Sequence, residues 1–373
     1  MERRRAGLWI LRLVACGMAV SAGVEPLAAQ GSRIVSGRVL DSAGKAVPGA
    51  LLATLNAKGE LVAQTLAGAD GAFEMPLAAG IAVDVYAMLV GLEPSPPVAV
   101  SAGTASTTIT VTTSGVRAQL SGQRNRQKAI CGPPRDTTSD VTRLWQEARK
   151  AIASTGLRYG RDDISATVLF FDRTTSPDGK AILSQRTRES TVSARRPFQS
   201  LPPDSVASAG YVIETETDVS YYAPDADVLL SGPFAESHCF AIAPANGAHP
   251  TWVGLTFKPK GERLGVYEIA GTMWFDHATQ QLQQIAYRYT NAPVAFASAG
   301  VGGDVAFTHL QNGAWFISRW EIRMPQGQIQ SNLALQHSQV RNQRQVTVES
   351  LRVAGGEVKA VSIGGAIVEV KRD

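Results

Sequence analysis

Short runs in which apolar and polar residues alternate, separated by turn residues about every 8–12 positions, extend over most of the chain from residue 33. A period of two puts every second side chain on one face of a strand. A chain written this way must bury one face of its sheets. Residues 33–113 show the pattern first. Ile34, Val35, Val39 and Leu40 bracket Gly37, and Asp41-Ser42-Ala43-Gly44 supplies turn chemistry, in which Asp bonds its own backbone and Gly takes positive φ. Pro48-Gly49, Lys58-Gly59 and Asp70-Gly71 mark further turns around "ALLATL", "LVAQTL" and "AFEMPL". "IAVDVYAMLVGL" and "STTITVTT" complete six or seven short strands, the pattern of a β-sandwich.

Residues 114–137 have no apolar period and read as a polar linker, with five positive charges between Arg117 and Arg135. Residues 138–373 open on one clear helix, over 139–155. Ser139 is placed to cap it, Val141, Leu144, Trp145, Ala148 and Ile152 share a face, and Gly156 stops it. The rest reads as about a dozen strands in one antiparallel meander, from "ISATVLFFDR" through "DVLLS", "GTMWFDH" and "NLALQHSQV" to "EVKAVSI". The fold class expected is mainly β: an N-terminal sandwich and a C-terminal antiparallel domain with one helix.

The first 29 residues differ from the rest. Arg3, Arg4 and Arg5 precede an apolar run from Leu8 to Val24 interrupted only by Arg12, and Leu27-Ala28-Ala29 follows a Glu25-Pro26 break. This is the pattern of a secretory signal peptide cut after Ala29. Leu13-Val14-Ala15-Cys16 offers the alternative of a lipoprotein anchored through Cys16. Without these 29 residues the chain holds 32 basic and 30 acidic residues, so its charge gives no footprint for nucleic acid. It also holds only two cysteines, Cys131 and Cys239. In an oxidising compartment an isolated pair is expected to form a disulfide, with Cα atoms about 4.4–6.8 Å apart. Two free thiols are the alternative.

The run "SGRVLDSAGKAVPGALL…GADGAFEMPL" resembles the carboxypeptidase regulatory-like domain. Val35, Gly37, Val39, Asp41, Gly44, Pro48, Gly49 and Ala50 match one part of that family's pattern, with one extra residue before the Pro. Asp70, Gly71 and Phe73 match the other. The resemblance spans about 80 residues. It implies a seven-stranded, prealbumin-like sandwich related to carbohydrate-binding-like folds, acting as an accessory module without peptidase activity. "GTMWFDHATQQLQQIAYRY" is similar in its hairpin pattern to periplasmic lipoprotein-carrier-like half-barrels, which implies a half-barrel-like C-terminal sheet. "YAPDADVLLSGPF", "GTMWFDHATQQL" and "AWFISRWEIRMP" together resemble secreted bacterial proteins that pair a regulatory-like domain with a β-rich one, and they bring no active site with them.

Residue by residue, the chemistry is sparse. The five histidines, His238, His249, His277, His309 and His337, lack the spacing of a zinc peptidase, and there is no nucleophile elbow. His238 beside Cys239 reads as a structural histidine next to a bridge. Glu214, Glu216 and Asp218 alternate, as do Arg186 and Arg188, so a cross-strand charge ladder is expected if their strands pair. Asp225 and Asp227 offer oxygen ligands to calcium or, more simply, a turn. Trp252, Trp274, Tyr287, Tyr289, Trp315 and Trp320 are the candidate ligand-groove aromatics, with core packing as the alternative. No cofactor is implied. The reading is an exported, non-catalytic envelope protein that binds or scaffolds, its partner an apolar ligand or lipid, a glycan or an envelope protein. The alternative is an accessory component of a secreted hydrolase. The purified chain is expected to show no chelator-sensitive peptidase activity and no bound zinc. Stoichiometric zinc in metal analysis, together with such cleavage, would overturn this and point first to His238, His249 and His277.

Overall fold

The computed structural model describes residues 31–117, 120, 128–136, 139–157, 164–194, 197–215, 218–245, 247, 249–310, 313, 315–330 and 345–368. The signal-peptide and Cys16 expectations, part of the linker, Glu216, His337 and the strand expected over "NLALQHSQV" lie outside these residues. The fold is mainly β.

Seven strands form the N-terminal unit: β1 (Ser32–Leu40), β2 (Leu51–Leu55), β3 (Leu61–Leu66), β4 (Ala72–Ala78), β5 (Val83–Met88), β6 (Val98–Val100) and β7 (Thr107–Thr112). They make two sheets, β4-β1-β7 and β3-β2-β5-β6. The alternation of β4 sets its facing: Phe73, Met75 and Leu77 are buried, while Glu74 and Pro76 point out. With Val35, Val39, Leu52, Val85 and Val111 they fill the core between the sheets. The Asp70-Gly71 turn closes as its chemistry requires, with Asp70 Oδ1 accepting from the Ala72 N–H at 3.0 Å.

Beyond it, β8 (Ile130–Cys131), β9 (Ile164–Thr175), β10 (Ile182–Ser193), β13 (His238–Ala243), β14 (Trp252–Pro259), β15 (Glu268–Asp276), β16 (Leu282–Thr290), β17 (Gly302–His309), β18 (Trp315–Gln330), β19 (Gln345–Ile363) and β20 (Ala366–Val368) form one 11-stranded antiparallel sheet. Its order is β10-β9-β19-β18-β17-β16-β15-β14-β13-β8, with β20 paired to β19. The sheet is open, with β10 at one edge and β8 at the other. A small hairpin of β11 (Val212–Glu214) and β12 (Val219–Tyr221) stands apart.

The expected helix is α1 (Asp140–Thr155), capped by the Ser139 side chain and stopped at Gly156. Four shorter helices join it: α2 (Pro203–Ala209), α3 (Ala226–Leu230), α4 (Gly232–Ser237) and α5 (Val294–Ser298). The stretch "DVLLS", expected as a strand, is α3. Asp225 explains the difference, because its carboxylate accepts from the Val228 N–H at 3.0 Å and starts a helix.

Helix α1 is buried on both sides. Leu144, Trp145, Ala148 and Ile152 pack into the core of the large sheet, with the Trp145 ring 4.7 Å from Phe240. The opposite side meets the N-terminal sandwich, where Ala153 packs with Leu51 and Leu66. That second contact includes a buried ion pair. Lys150 Nζ lies 2.6 Å from Glu147 Oε1, with the side chains 6% and 4% exposed. Glu147 Oε2 accepts from the Gly91 N–H at 2.6 Å. Lys150 also donates to the carbonyls of Leu89 and Leu92 at 2.9 and 2.7 Å. All three ammonium protons therefore have an acceptor. Burial pushes the Glu147 carboxyl up and the Lys150 ammonium down from their ordinary values, and their mutual attraction opposes both shifts.

The Cys131–Cys239 disulfide is present and ties β8 to β13. The two residues are direct partners in the antiparallel ladder. Their Cα atoms are 3.9 Å apart, closer than the expected range. The Gly132 N–H bonds the His238 carbonyl beside them, which makes this a non-hydrogen-bonded pair, the narrow kind.

Lys150→Met leaves the Glu147 carboxylate buried without its partner and should cost about 3–5 kcal/mol. Glu147→Leu combined with Lys150→Met should recover part of that. Urea unfolding of the full chain measures both, and a single variant within about 1 kcal/mol of the parent would contradict the role given to the pair.

Candidate functional site

One row of side chains explains where a ligand can bind. Following the cross-strand partners from β13, the row runs Ile242, Leu255, Met273, Ile285, Val305, Trp320, Gly356, Phe170, Arg188. All nine lie on the face that carries the helices. Helix α1 packs against β13, β14, β16 and β18, over the first part of the row. The row then continues past the helix to the β10 edge and changes from aliphatic to aromatic to charged. A second row, two residues along, runs Gly303, Ile322, Ala354, Asp172, Arg186.

The uncovered part is a groove of about 460 Å³. Phe170, Val305, Trp320, Ile322 and Ala354 lie along its floor. Segments 197–199 and 221–223 line its other side, and Arg186 and Arg188 stand at the edge. The aromatic rings meet edge-on and tilted: Phe170 is 5.9 Å and Phe198 5.7 Å from Trp320, centroid to centroid. The Arg188 guanidinium lies over the Phe170 ring at 5.3 Å. Gly356 is what lets Trp320 lie flat here, because a Cβ at that position would come within 2.5 Å of the indole.

The charges around the groove are unevenly matched. Arg352 donates to Asp172 at 2.7 Å and holds its carboxyl below the usual carboxylate range. Burial pushes Glu321 up, but Arg323 and Arg319 outweigh it and hold this carboxyl low as well. Both acids in the lining therefore stay ionised and paired near neutral pH. Arg186 and Arg188 form no ion pair among the described residues. Of the expected ladder between them and the acids at 214–218, the part involving Glu214 and Asp218 does not form; Glu216 lies outside the described residues. β10 pairs with β9, while Glu214 sits in the separate β11–β12 hairpin and accepts from the Tyr267 hydroxyl.

The structure divides the six expected groove aromatics. Trp320 lines the groove. Tyr287 and Tyr289 share its face but are buried in the core, 5.9 Å apart, where loss of hydration raises both phenols and keeps them neutral. Trp315 is also core, stacked with His309 at 5.2 Å. Trp252 and Trp274, expected in the groove, are not part of it. They lie on the opposite face of the sheet, because the inward residues of their strands are Val253, Leu255, Met273 and Phe275. There the His249 ring stacks on Trp252 at 3.8 Å and is 6.1 Å from Trp274. No single groove contains all six. Phe170, Phe198 and Tyr221 complete the site and were not singled out in the sequence. Phe170 alternates correctly in "VLFFDR", but Phe198 lies in an irregular segment with no period to mark it.

His238 is buried beside the disulfide, its Nδ1 2.8 Å from the Phe234 carbonyl and its Nε2 3.2 Å from that of Ile269. Burial lowers its pKa and favours the neutral ring. His249 and His277 lie at the other end of the β13–β15 strands from it. Among the described residues, no three His, Cys, Asp or Glu side chains group as a metal site. Asp225 serves as a cap, holding the Ser200 and Val228 N–H groups. No helix among the described residues is long and apolar enough to cross a membrane.

No protein family and no curated protein matches the sequence. Solved structures that match include the shaft pilin SpaA from Lactobacillus rhamnosus GG, at 9% identity over 66% of this chain and 93% of the pilin, with a TM-score of 0.20. A 9R-lipoxygenase from Cyanothece PCC8801 matches at 10% identity over 83% of this chain and 41% of the enzyme, with a TM-score of 0.17. Superpositions this poor do not bear on function.

Gly356→Val should drive the indole of Trp320 out of its place and cost about 1–3 kcal/mol. Chemical denaturation measures it, and an unchanged midpoint would contradict the packing described.

Proposed function

We propose that this is an exported protein of the cell envelope whose C-terminal sheet binds an apolar ligand, with an N-terminal accessory sandwich of the carboxypeptidase regulatory-like kind. The observation that carries the binding role is the groove beyond α1. Its volume of about 460 Å³ falls in the range of small-molecule sites. Its lining of Phe170, Phe198, Tyr221, Val305 and Trp320 offers aromatic and aliphatic surface, its acids Asp172 and Glu321 are held by arginines, and Arg186 and Arg188 stand at one edge. The disulfide supports export, because such bonds persist in oxidising compartments. The charged and apolar N-terminal run points the same way. The binding chemistry is non-covalent: the site offers contact area and two cations, and no nucleophile–base pair is described within it.

The test is titration of the purified protein with the apolar fluorophore N-phenyl-1-naphthylamine. Saturable binding is expected, at least tenfold weaker in Trp320→Ala and unchanged in Trp252→Ala. Absence of saturable binding, or loss in Trp252→Ala instead, would overturn the proposal.

A further inference from the structure

We infer that the ligand of this groove is an anionic amphiphile, a single alkyl chain ending in a carboxylate, whose head is held by Arg186 and Arg188; this rests on the binding role proposed above. The inference comes from how the row across the sheet ends. The floor is apolar up to Phe170 and then meets Arg188 directly opposite, with Arg186 two residues along on the same face. A molecule lying along the row therefore has hydrocarbon contact under most of its length and guanidinium groups at one end.

The local charge favours an anion. Asp172 is the carboxylate in the second row, and it is committed to Arg352 through three contacts of 2.7 to 3.2 Å. Arg186 adds to the field that keeps Asp172 ionised, and Asp218 acts on Arg352. Neither acid is in an ion pair with Arg186 or Arg188. Two exposed guanidinium groups that form no ion pair among the described residues line a site whose carboxylates are each paired with other arginines. An uncharged ligand leaves them unused, and a cationic one is repelled. A carboxylate accepts from guanidinium in the paired geometry that Arg favours. The position of Arg188 over Phe170 also holds its donors at the mouth of the apolar floor.

Isothermal titration of the full chain with decanoate and with 1-decanol, at low and high salt, separates the head from the tail. Decanoate should bind at least tenfold more tightly than the alcohol, and added salt should narrow the gap. Arg186→Gln with Arg188→Gln should abolish the preference while leaving alcohol binding within about twofold, and the corresponding double Lys variant should retain part of it. Both substitutions lie on an exposed edge strand. Equal binding of acid and alcohol by the parent would overturn the inference and leave the apolar groove standing. Failure of both ligands to bind would overturn the two together. Equal losses for both ligands in the Gln variant would show that the arginines only pack, which also overturns it.

Discussion

The pairing of Glu147 with Lys150 inside the molecule is the interaction on which the rest of the arrangement depends. A helix with one polar side belongs on a surface, and α1 carries a glutamate and a lysine where the sequence suggests solvent. The structure buries that side too. It succeeds because the two charges meet each other and also take up the backbone groups of Gly91, Leu89 and Leu92. Desolvating two charges offsets much of what their attraction returns, so such a pair adds little net stability, but removing one partner leaves the other buried and unpaired. The pair sets the position of the sandwich against the helix, and through Leu144, Trp145 and Ile152 it sets the helix against the large sheet.

That placement decides what is left open. The inner face of an 11-stranded sheet is wider than one helix of 16 residues can cover. Helix α1 closes the face over β13 to β18, and the short helices α3 and α4 pack beside it. Past Trp320 the same row of inward positions remains, still aromatic at Phe170, and becomes the floor of the groove. The groove is thus a continuation of the core, with arginines where the sheet ends. At the far edge, β8 contributes only two residues and is tied to β13 by the disulfide. A two-residue strand makes few ladder bonds, so the covalent tie is what fixes it.

Much of this was legible in the sequence. The mainly β class, the cap and stop of α1 and the Cys131–Cys239 pair all follow from local signals: periodicity, capping chemistry and an isolated pair of thiols. The site was only half legible. Alternation shows that Trp252 and Trp274 share a face of their own strands, but which face is inward depends on cross-strand register, a long-range property. Arg186 and Arg188 stand out as an alternating pair, but a ladder with the acids at 214–218 requires their strands to pair, and β10 pairs with β9 instead. The second burial of α1 was hidden because Glu147 and Lys150 look like an ordinary solvent-facing pair at helical spacing. Only the loop at 89–92, more than 50 residues away, makes them internal.

The central claim is that ligand binds where the inner face runs out from under α1, and the indole N–H resonances of the tryptophans report on it directly. Trp320 lines the groove, Trp145 is on the face of α1 that packs into the core, Trp315 is in the core, and Trp252 and Trp274 are on the other face. In a two-dimensional NMR titration of the folded protein with decanoate, the account predicts a saturating shift of the Trp320 indole, with those of Trp145, Trp252 and Trp274 unmoved. Shifts at Trp252 and Trp274 with Trp320 unmoved would place the ligand on the opposite face and contradict it.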